Sequence, residues 1–578
     1  MRVALAAAAV VAVVSGGVAL FVAGGARAHR RTAPSDGSDT FASIATPSAD
    51  ASRPRTAVTE LPLPSSANPE ALAAYRAAMQ AFRDGASSAW HANLARAAAL
   101  DPSLAAAHLR LGWILASGAP SSAREHFTKA TLLRSMLSPH DEALLDAGVP
   151  YFQGERADLA ACERGLEAAA ARFPGDAELL FFLGAAHADR GDFAAAERTH
   201  ARAIDVDPKF AMALGFRGIY QAYLDDIDGA YRSFAQCLEA APGATLCLHF
   251  RSNLDELEGN CARIESDARH MIAIDPRGPT GYAFLAEAMY GLGQGRDVTR
   301  ETLRQEAERV PSAARRDAEL TRELHLAELG GDFAIAERNA RDLETAAAAS
   351  ASGDEGKHAS AAAALVEILT ETGRAAEAGQ TARAFLVKRA AWMLNPRGED
   401  YAVAADVTPM MLTAEARAGL ISDAELEDKR AEWLRRWKSE LAPAYWFTLW
   451  AHGVAEVVES PKDAAHALEL LDVYGPPRRF GPLVLARAAL GRAELRAGKV
   501  DAAIASLEIA THACVALAKP VEHTRAHALL GEALAANGDK GGACAAYRVV
   551  LDRWGKATPR SVTADATKKR ARALGCAL

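Results

Sequence analysis

Between Leu183 and Pro208 the chain reads LGAAHADRGDFAAAERTHARAIDVDP, and its landmarks come back at a fixed interval. Gly184, Ala196, Ala203 and Pro208 are followed 34 residues later by Gly218, Ala230, Cys237 and Pro242, and a further 34 residues lead to Pro276. An interval of that length is one helix-turn-helix unit, which cannot bury its apolar faces alone and must stack on its neighbours. The small residues carry the mechanics: glycine in the first helix and alanine in the second let the backbones cross closely, and proline ends the pair. A single large globular core is thereby excluded.

The period is that of tetratricopeptide repeats, so the chain is expected to be all-α, a tetratricopeptide-type α-solenoid in which helix pairs stack into a right-handed superhelix. Composition agrees, because half of the 578 residues are apolar while only 6% are aromatic, a balance that suits closely packed helices. Weaker copies keep the phase around Leu111, Gly112, Ala123, Phe127 and Ala130, and two more end the chain, at Gly491 with Ala503, Leu507 and Ala510, and at Gly531 with Ala543, Tyr547 and Val550. These last two lie 40 residues apart, because the connection around Lys519 and Pro520 is longer. The small, polar stretch ASASGDEGKHAS at 349–360 reads as a hinge between an N-terminal array over 68–348 and a C-terminal array over 361–578, the latter carrying an irregular insert from 395 to 482. The net charge of -8 gives no electrostatic footprint for nucleic acid.

The N-terminus is different material. Residues 3–26 carry no charge and are long enough to cross a bilayer, so 1–28 reads as a signal-anchor or transmembrane helix with its N-terminus in the cytoplasm and the repeats outside it. Ala26-Arg27-Ala28 also has the small-x-small form of a cleavage site, which leaves a secreted product as the alternative. Residues 29–67, rich in Ser, Thr, Ala and Pro, read as a disordered linker.

Three stretches, residues 529–576, LSPHDEALLDAG at 137–148 and NPRGEDYAVAADVTP at 395–409, resemble the tetratricopeptide region that follows the kinase domain and membrane segment in large myxobacterial-type serine/threonine protein kinases. The kinase domain itself is absent: no Gly-rich nucleotide loop, His-Arg-Asp or Asp-Phe-Gly occurs. The resemblance implies a non-catalytic scaffold or sensor ectodomain that binds protein or peptide partners, or alternatively a truncated or split part of such a kinase.

No catalytic residue, cofactor or metal is expected. His523 and His527 stand at i and i+4 as zinc ligands would, but Thr524 lies where a metalloprotease has Glu. GLGQG at 291–295 falls between two helices rather than after a strand. In the tetratricopeptide family the inner helices line a concave groove, which here implies Phe181, Ile219, Tyr223 and Tyr290 as apolar anchors and His249, Asn253, Glu256 and Glu287 as polar ones for a protein or peptide ligand. The aromatic cluster Trp433, Trp437, Tyr445, Trp446, Phe447 and Trp450 reads either as core or as a cleft that could take glycan, with Trp446 and Trp450 its candidate binding residues. In an exported chain the seven cysteines are free to pair, and Cys237 with Cys247 and Cys544 with Cys576 are the pairs expected from their positions on neighbouring helices.

Overall fold

In the computed structural model the described residues are 55–577, apart from the short segments 117–118, 154–156, 350–354, 395–405, 441–445, 476–477 and 481–485. They form 27 α-helices and no strand. The expected membrane segment lies outside the described residues, and no described helix is long and apolar enough to cross a membrane.

The helices run as antiparallel pairs. In chain order they are α1 (Pro69–Arg83) with α2 (Ser87–Leu100), α3 (Ala105–Leu115) with α4 (Pro120–Leu132), α5 (Pro139–Phe152) with α6 (Leu159–Arg172), α7 (Ala177–Asp189) with α8 (Phe193–Val206) and α9 (Ala211–Tyr223) with α10 (Ile227–Ala240). Next come α11 (Thr245–Glu258) with α12 (Cys261–Ile274), α13 (Thr280–Gly291) with α14 (Arg296–Arg309), α15 (Ser312–Gly330) with α16 (Phe333–Ala349) and α17 (Glu355–Glu371) with α18 (Ala375–Leu394). The remainder are α19 (Thr408–Arg417), α20 (Asp423–Glu440), α21 (Trp446–Gly453), α22 (Pro461–Tyr474), α23 (Ala486–Arg496), α24 (Val500–His512), α25 (Pro520–Ala536), α26 (Lys540–Trp554) and α27 (Val562–Leu574).

The repeated glycines do what the spacing implies. A Cβ on Gly218 would come within 2.5 Å of the Phe234 ring, and one on Gly491 within 2.6 Å of Leu507 Cγ; Gly184 faces His200 and Gly531 faces Tyr547 in the same way. In each case a large side chain sixteen positions on, in the second helix of the pair, fills the notch left by the missing side chain. The turns between paired helices are closed by aspartates: Asp192, Asp226 and Asp539 accept the amides of Ala195, Gly229 and Gly542 and so cap α8, α10 and α26.

The stack does not stay open. One apolar cluster joins Phe193, Ile219, Tyr223 and Phe250 of the early repeats to Trp450, Phe480, Ala489 and Leu490 of the late ones. Farther along, Trp554 of α26 donates its indole N–H to the Glu328 carbonyl of α15 at 2.7 Å. The fully buried Glu371 of α17 accepts from Ser561, Thr563 and Arg525 at 2.6–3.0 Å. The C-terminal helices therefore pack back onto the repeats that precede them.

Three boundaries read differently in the structure. The end of the expected linker is docked: the Thr56 amide donates to the Gly175 carbonyl at 2.9 Å, the Ala177 amide donates to Thr56, and Val58 is buried. Helix α17 begins at Glu355, inside the expected hinge, and shares with α16 one apolar cluster that includes Phe333, Ala336, Ala340, Ala362 and Leu365. The described part of the expected irregular insert is helical, comprising α19 to α22, because its aromatic residues supply a core that the repeat pattern does not announce.

Candidate partner-binding groove

Helices α7, α9, α11 and α13 carry the residues that the resemblance assigns to a groove, and tertiary packing has taken most of them inside. Phe181, 5% exposed, meets Phe82 and Phe216 edge-on at 5.0 and 5.3 Å between ring centres. Ile219 and Tyr223 are each 2% exposed; Tyr223 stacks on Phe193 at 4.4 Å and meets Phe480 of the late repeats edge-on at 4.9 Å. Arg478 donates to the Tyr223 carbonyl. All three are buried in the core rather than lining a groove: Phe181 among Phe82, Phe210 and Phe216, and Ile219 and Tyr223 in a cluster completed by Phe480, Ala489 and Leu490 of the late repeats.

The polar set lies one to two repeats on and is differently placed. His249 is half-buried against Phe250 and Phe284, and burial pushes its imidazole down to about 4. Asn253 is buried, with its amide nitrogen unpartnered. Burial holds the Glu256 carboxyl well above the usual range, with the nearby Glu287 charge adding to it. Burial also pushes Glu287 up to about 7, although its two oxygens accept the backbone amides of Leu517 and Ala518, each at 2.9 Å. Tyr290, half-buried, lies 5.8 Å under the Arg553 guanidinium.

The structure thus brings Glu256, Glu287 and Tyr290 together around a segment that sequence reasoning missed. Residues 513–517, Ala-Cys-Val-Ala-Leu, connect α24 to α25 without helical structure, and each is 5% exposed or less. Cys514 packs with Leu248, Ile264 and Phe284, while Ala516 and Leu517 pack with Ala286, Leu303, Leu326 and Leu329. The Cys514 amide donates to the Glu256 carbonyl at 2.7 Å. A carboxylate spanning two successive amides, together with a carbonyl facing a third, reads main chain rather than side chains. One signal was present in the sequence: the 40-residue spacing near Lys519 is six longer than the repeat, and that surplus is shared between the longer connection that holds the buried segment and an added first turn of α25.

The cysteines give three bridges. Cys237 joins Cys247 and Cys544 joins Cys576, the two pairs named from the sequence, and Cys261 joins Cys514 across 253 residues. Cys162 is a buried free thiol whose pKa burial pushes up to about 12, so it is inert as a nucleophile.

Four members of the aromatic cluster, Trp433, Trp437, Phe447 and Trp450, are buried in the core. Trp450 is fully buried and donates to the Ala467 carbonyl at 2.6 Å, and Trp433 and Trp437 both donate to Asp406 Oδ2 at 2.9 Å. Trp446 is half-buried with the Lys438 ammonium 4.4 Å over its ring, and Tyr445 lies outside the described residues. His523 and His527 sit 5.0 Å apart, but the Arg553 guanidinium is 3.1 Å from His523 Nδ1, and burial followed by that charge pushes both imidazoles down, His527 to about 3. A fixed cation at that point opposes a metal ion. Among the described residues one group has the spacing of metal ligands, His140, Asp141 and Glu178. There Arg110 Nη2 lies 2.6 Å from Glu178 and 3.0 Å from Asp141, so a guanidinium already stands where a cation would. GLGQG forms the exposed turn between α13 and α14.

No protein-family model matches the chain, and no curated protein matches it. Among solved structures it is similar to a tetratricopeptide repeat protein from Parabacteroides merdae, at 14% identity over 48% of this chain and 93% of that one, with a TM-score of 0.28. It is also similar to the hetero-tetramer Cut9–Hcn1 of the APC/C, at 13% identity over 87% and 96% of the chains, TM-score 0.24, and to MamA from Desulfovibrio magneticus, at 19% identity over 30% and 97%, TM-score 0.18. The architecture of stacked helix pairs rests on this chain's own period and on its glycine notches.

Proposed function

We propose that the protein is a non-catalytic tetratricopeptide scaffold or sensor ectodomain, anchored in the membrane by residues 3–26, with its repeats outside the cytoplasm and its ligand a protein or peptide. One observation carries the binding role: helices α11 and α13 hold a non-helical apolar segment through its main-chain amides, as a groove that reads peptide backbone does. The extracytoplasmic placement is supported by the pairing of six of the seven cysteines, since such bridges persist in oxidising compartments. Cleavage after Ala28 would instead release the repeats as a secreted protein.

The alternative, a truncated or split part of a transmembrane serine/threonine kinase, rests only on the resemblance of the three stretches named above. In those stretches Ser138 caps α5, Asp406 ties down Trp433 and Trp437, and Cys544 staples α27, all structural duties. The deciding experiment is crosslinking in the native membrane under oxidising and reducing conditions, with crosslinks mapped by mass spectrometry. A captured protein whose crosslinks fall on the repeat helices is the expected result; empty captures in both conditions reject the scaffold role.

A further inference from the structure

The connection between α24 and α25 is built as a ligand and not as a loop. Its two flanking helices belong to the late repeats, yet Ala513 to Leu517 are buried in the early ones. The fit is prepared by glycines on the receiving side. A Cβ on Gly259 would come within 2.7 Å of the His512 carbonyl oxygen, and one on Gly291 within 2.5 Å of Cys261 Sγ. At both places only glycine leaves room for the segment and its bridge.

Three polar bonds hold the segment, all through its own amides: Cys514 to the Glu256 carbonyl, Leu517 and Ala518 to the Glu287 carboxylate. The side chains it inserts are small or apolar and demand only volume. Recognition of this kind is indifferent to most of the sequence that supplies it, so another apolar peptide that makes the same turn meets the same acceptors. What favours the chain's own segment is tethering: α24 and α25 hold its ends, and the Cys261–Cys514 bridge clamps its middle to the start of α12. The other two bridges do not touch this segment, since Cys237–Cys247 joins neighbouring repeats and Cys544–Cys576 fixes the last helix.

We propose that residues 513–518 are a redox-held latch in the groove of α11, α13 and α15, and that reduction of Cys261–Cys514 lets an apolar, turn-forming peptide of a partner take their place. This rests on the scaffold reading above. The chemistry is dithiol–disulfide exchange: the two thiols of an external dithiol give up two electrons and two protons, the Cys261–Cys514 bond becomes two thiols, and the dithiol leaves as its own disulfide. With the clamp gone the segment keeps its three amide bonds, its apolar contacts and its tethers to α24 and α25, and it opens locally while the surrounding helices stay packed.

The test uses the full chain in detergent and a fluorescent synthetic peptide copying residues 511–520 with Cys514→Ser. The oxidised protein is expected to show no saturable binding, and the Cys261→Ser variant to bind the peptide saturably. Adding Glu287→Ala to that variant removes two amide acceptors and is expected to weaken binding about tenfold or more. Hydrogen exchange supplies the second readout: in Cys261→Ser the amides of Cys514, Leu517 and Ala518 exchange about tenfold faster or more, while those of α11 and α13 are unchanged. Should the variant fold poorly, the wild-type chain titrated with dithiothreitol, with the released thiols of Cys261 and Cys514 followed by labelling, gives the same comparison. Equal peptide binding with the bridge open and closed, no binding with it open, or unchanged exchange at the three amides each overturns the latch. The scaffold reading survives that failure if membrane crosslinks map to other faces of the repeats, and falls with it if none are captured with the bridge open.

Discussion

Asp406→Asn is the perturbation whose outcome can be worked most closely from the structure. The Asp406 carboxylate is fully buried; its Oδ2 accepts from Trp433 and Trp437 at 2.9 Å and from Arg389 at 2.8 Å, and its Oδ1 accepts the Thr408 amide at 3.0 Å and the Thr408 hydroxyl. Asparagine has nearly the same shape but only one acceptor oxygen, so either orientation points an NH2 group at two or three donors. Arg389, with 13% of its side chain exposed, also loses its counter-charge. Breaking a buried ion pair from one side costs roughly 3–5 kcal/mol, and each buried donor left facing another donor costs roughly 1–3 more, without simple addition. A local destabilisation of about 4 kcal/mol or more follows, which is on the order of a thousandfold in opening equilibrium. Because a solenoid opens by segments, the assay is hydrogen exchange resolved by helix, together with tryptophan emission. Protection should fall on the order of a thousandfold in α19 to α21 and stay unchanged in α1 to α4, with emission shifted to the red. A loss of protection below about tenfold with unchanged emission would refute the assignment of Asp406 as the centre that holds this region together.

Three further predictions concern stability. Burial opposes the charge on His140, but its bonds to Asp141 and Asp176 and the Glu178 charge outweigh that and raise it to about 10. Its contribution is therefore full below an unfolded pKa of about 6.5 and is lost as pH climbs to about 10, so the stability gap between wild type and His140→Gln should narrow across that window. A gap that widens over the same range, in denaturant titrations at fixed pH, contradicts the cluster. Opening Cys544–Cys576 by Cys576→Ser removes a bridge across 32 residues and should cost about 4 kcal/mol at the C-terminal cap, seen as early loss of α27 protection. Gly218→Ala places a methyl 2.5 Å from the Phe234 ring and should cost about 1–3 kcal/mol, with Phe234→Leu restoring part of the loss; additive effects in the double mutant would show that the notch is not shared.

The repeat register was legible because it depends on local geometry. Gly184, Gly218, Gly491 and Gly531 sit where two helices of one pair touch, and the partner of each is sixteen residues away, well within one repeat. The Cys237–Cys247 and Cys544–Cys576 pairs were readable for the same reason, since their members lie on adjoining helices. The groove was not. Ile219 and Tyr223 occupy positions that line an open superhelix, but nothing within their own repeat says that Phe480 and Arg478 will return to cover them, and Phe181 is covered by Phe82 of the first helix. The tryptophan cluster was open to two readings, and the choice depended on Asp406, which sits in a stretch without helical periodicity.

Sequence alone determined that this chain is built of stacked helix pairs and which small residues let the regular pairs touch, because a period is a relation between near neighbours. Tertiary structure alone decided that the late repeats close onto the early ones, that Cys261 finds Cys514, and that Glu287 spends its carboxylate on the chain's own amides. Those contacts span more than two hundred residues, and their partners are chosen by the accumulated curvature of the whole stack, a quantity that no single repeat encodes.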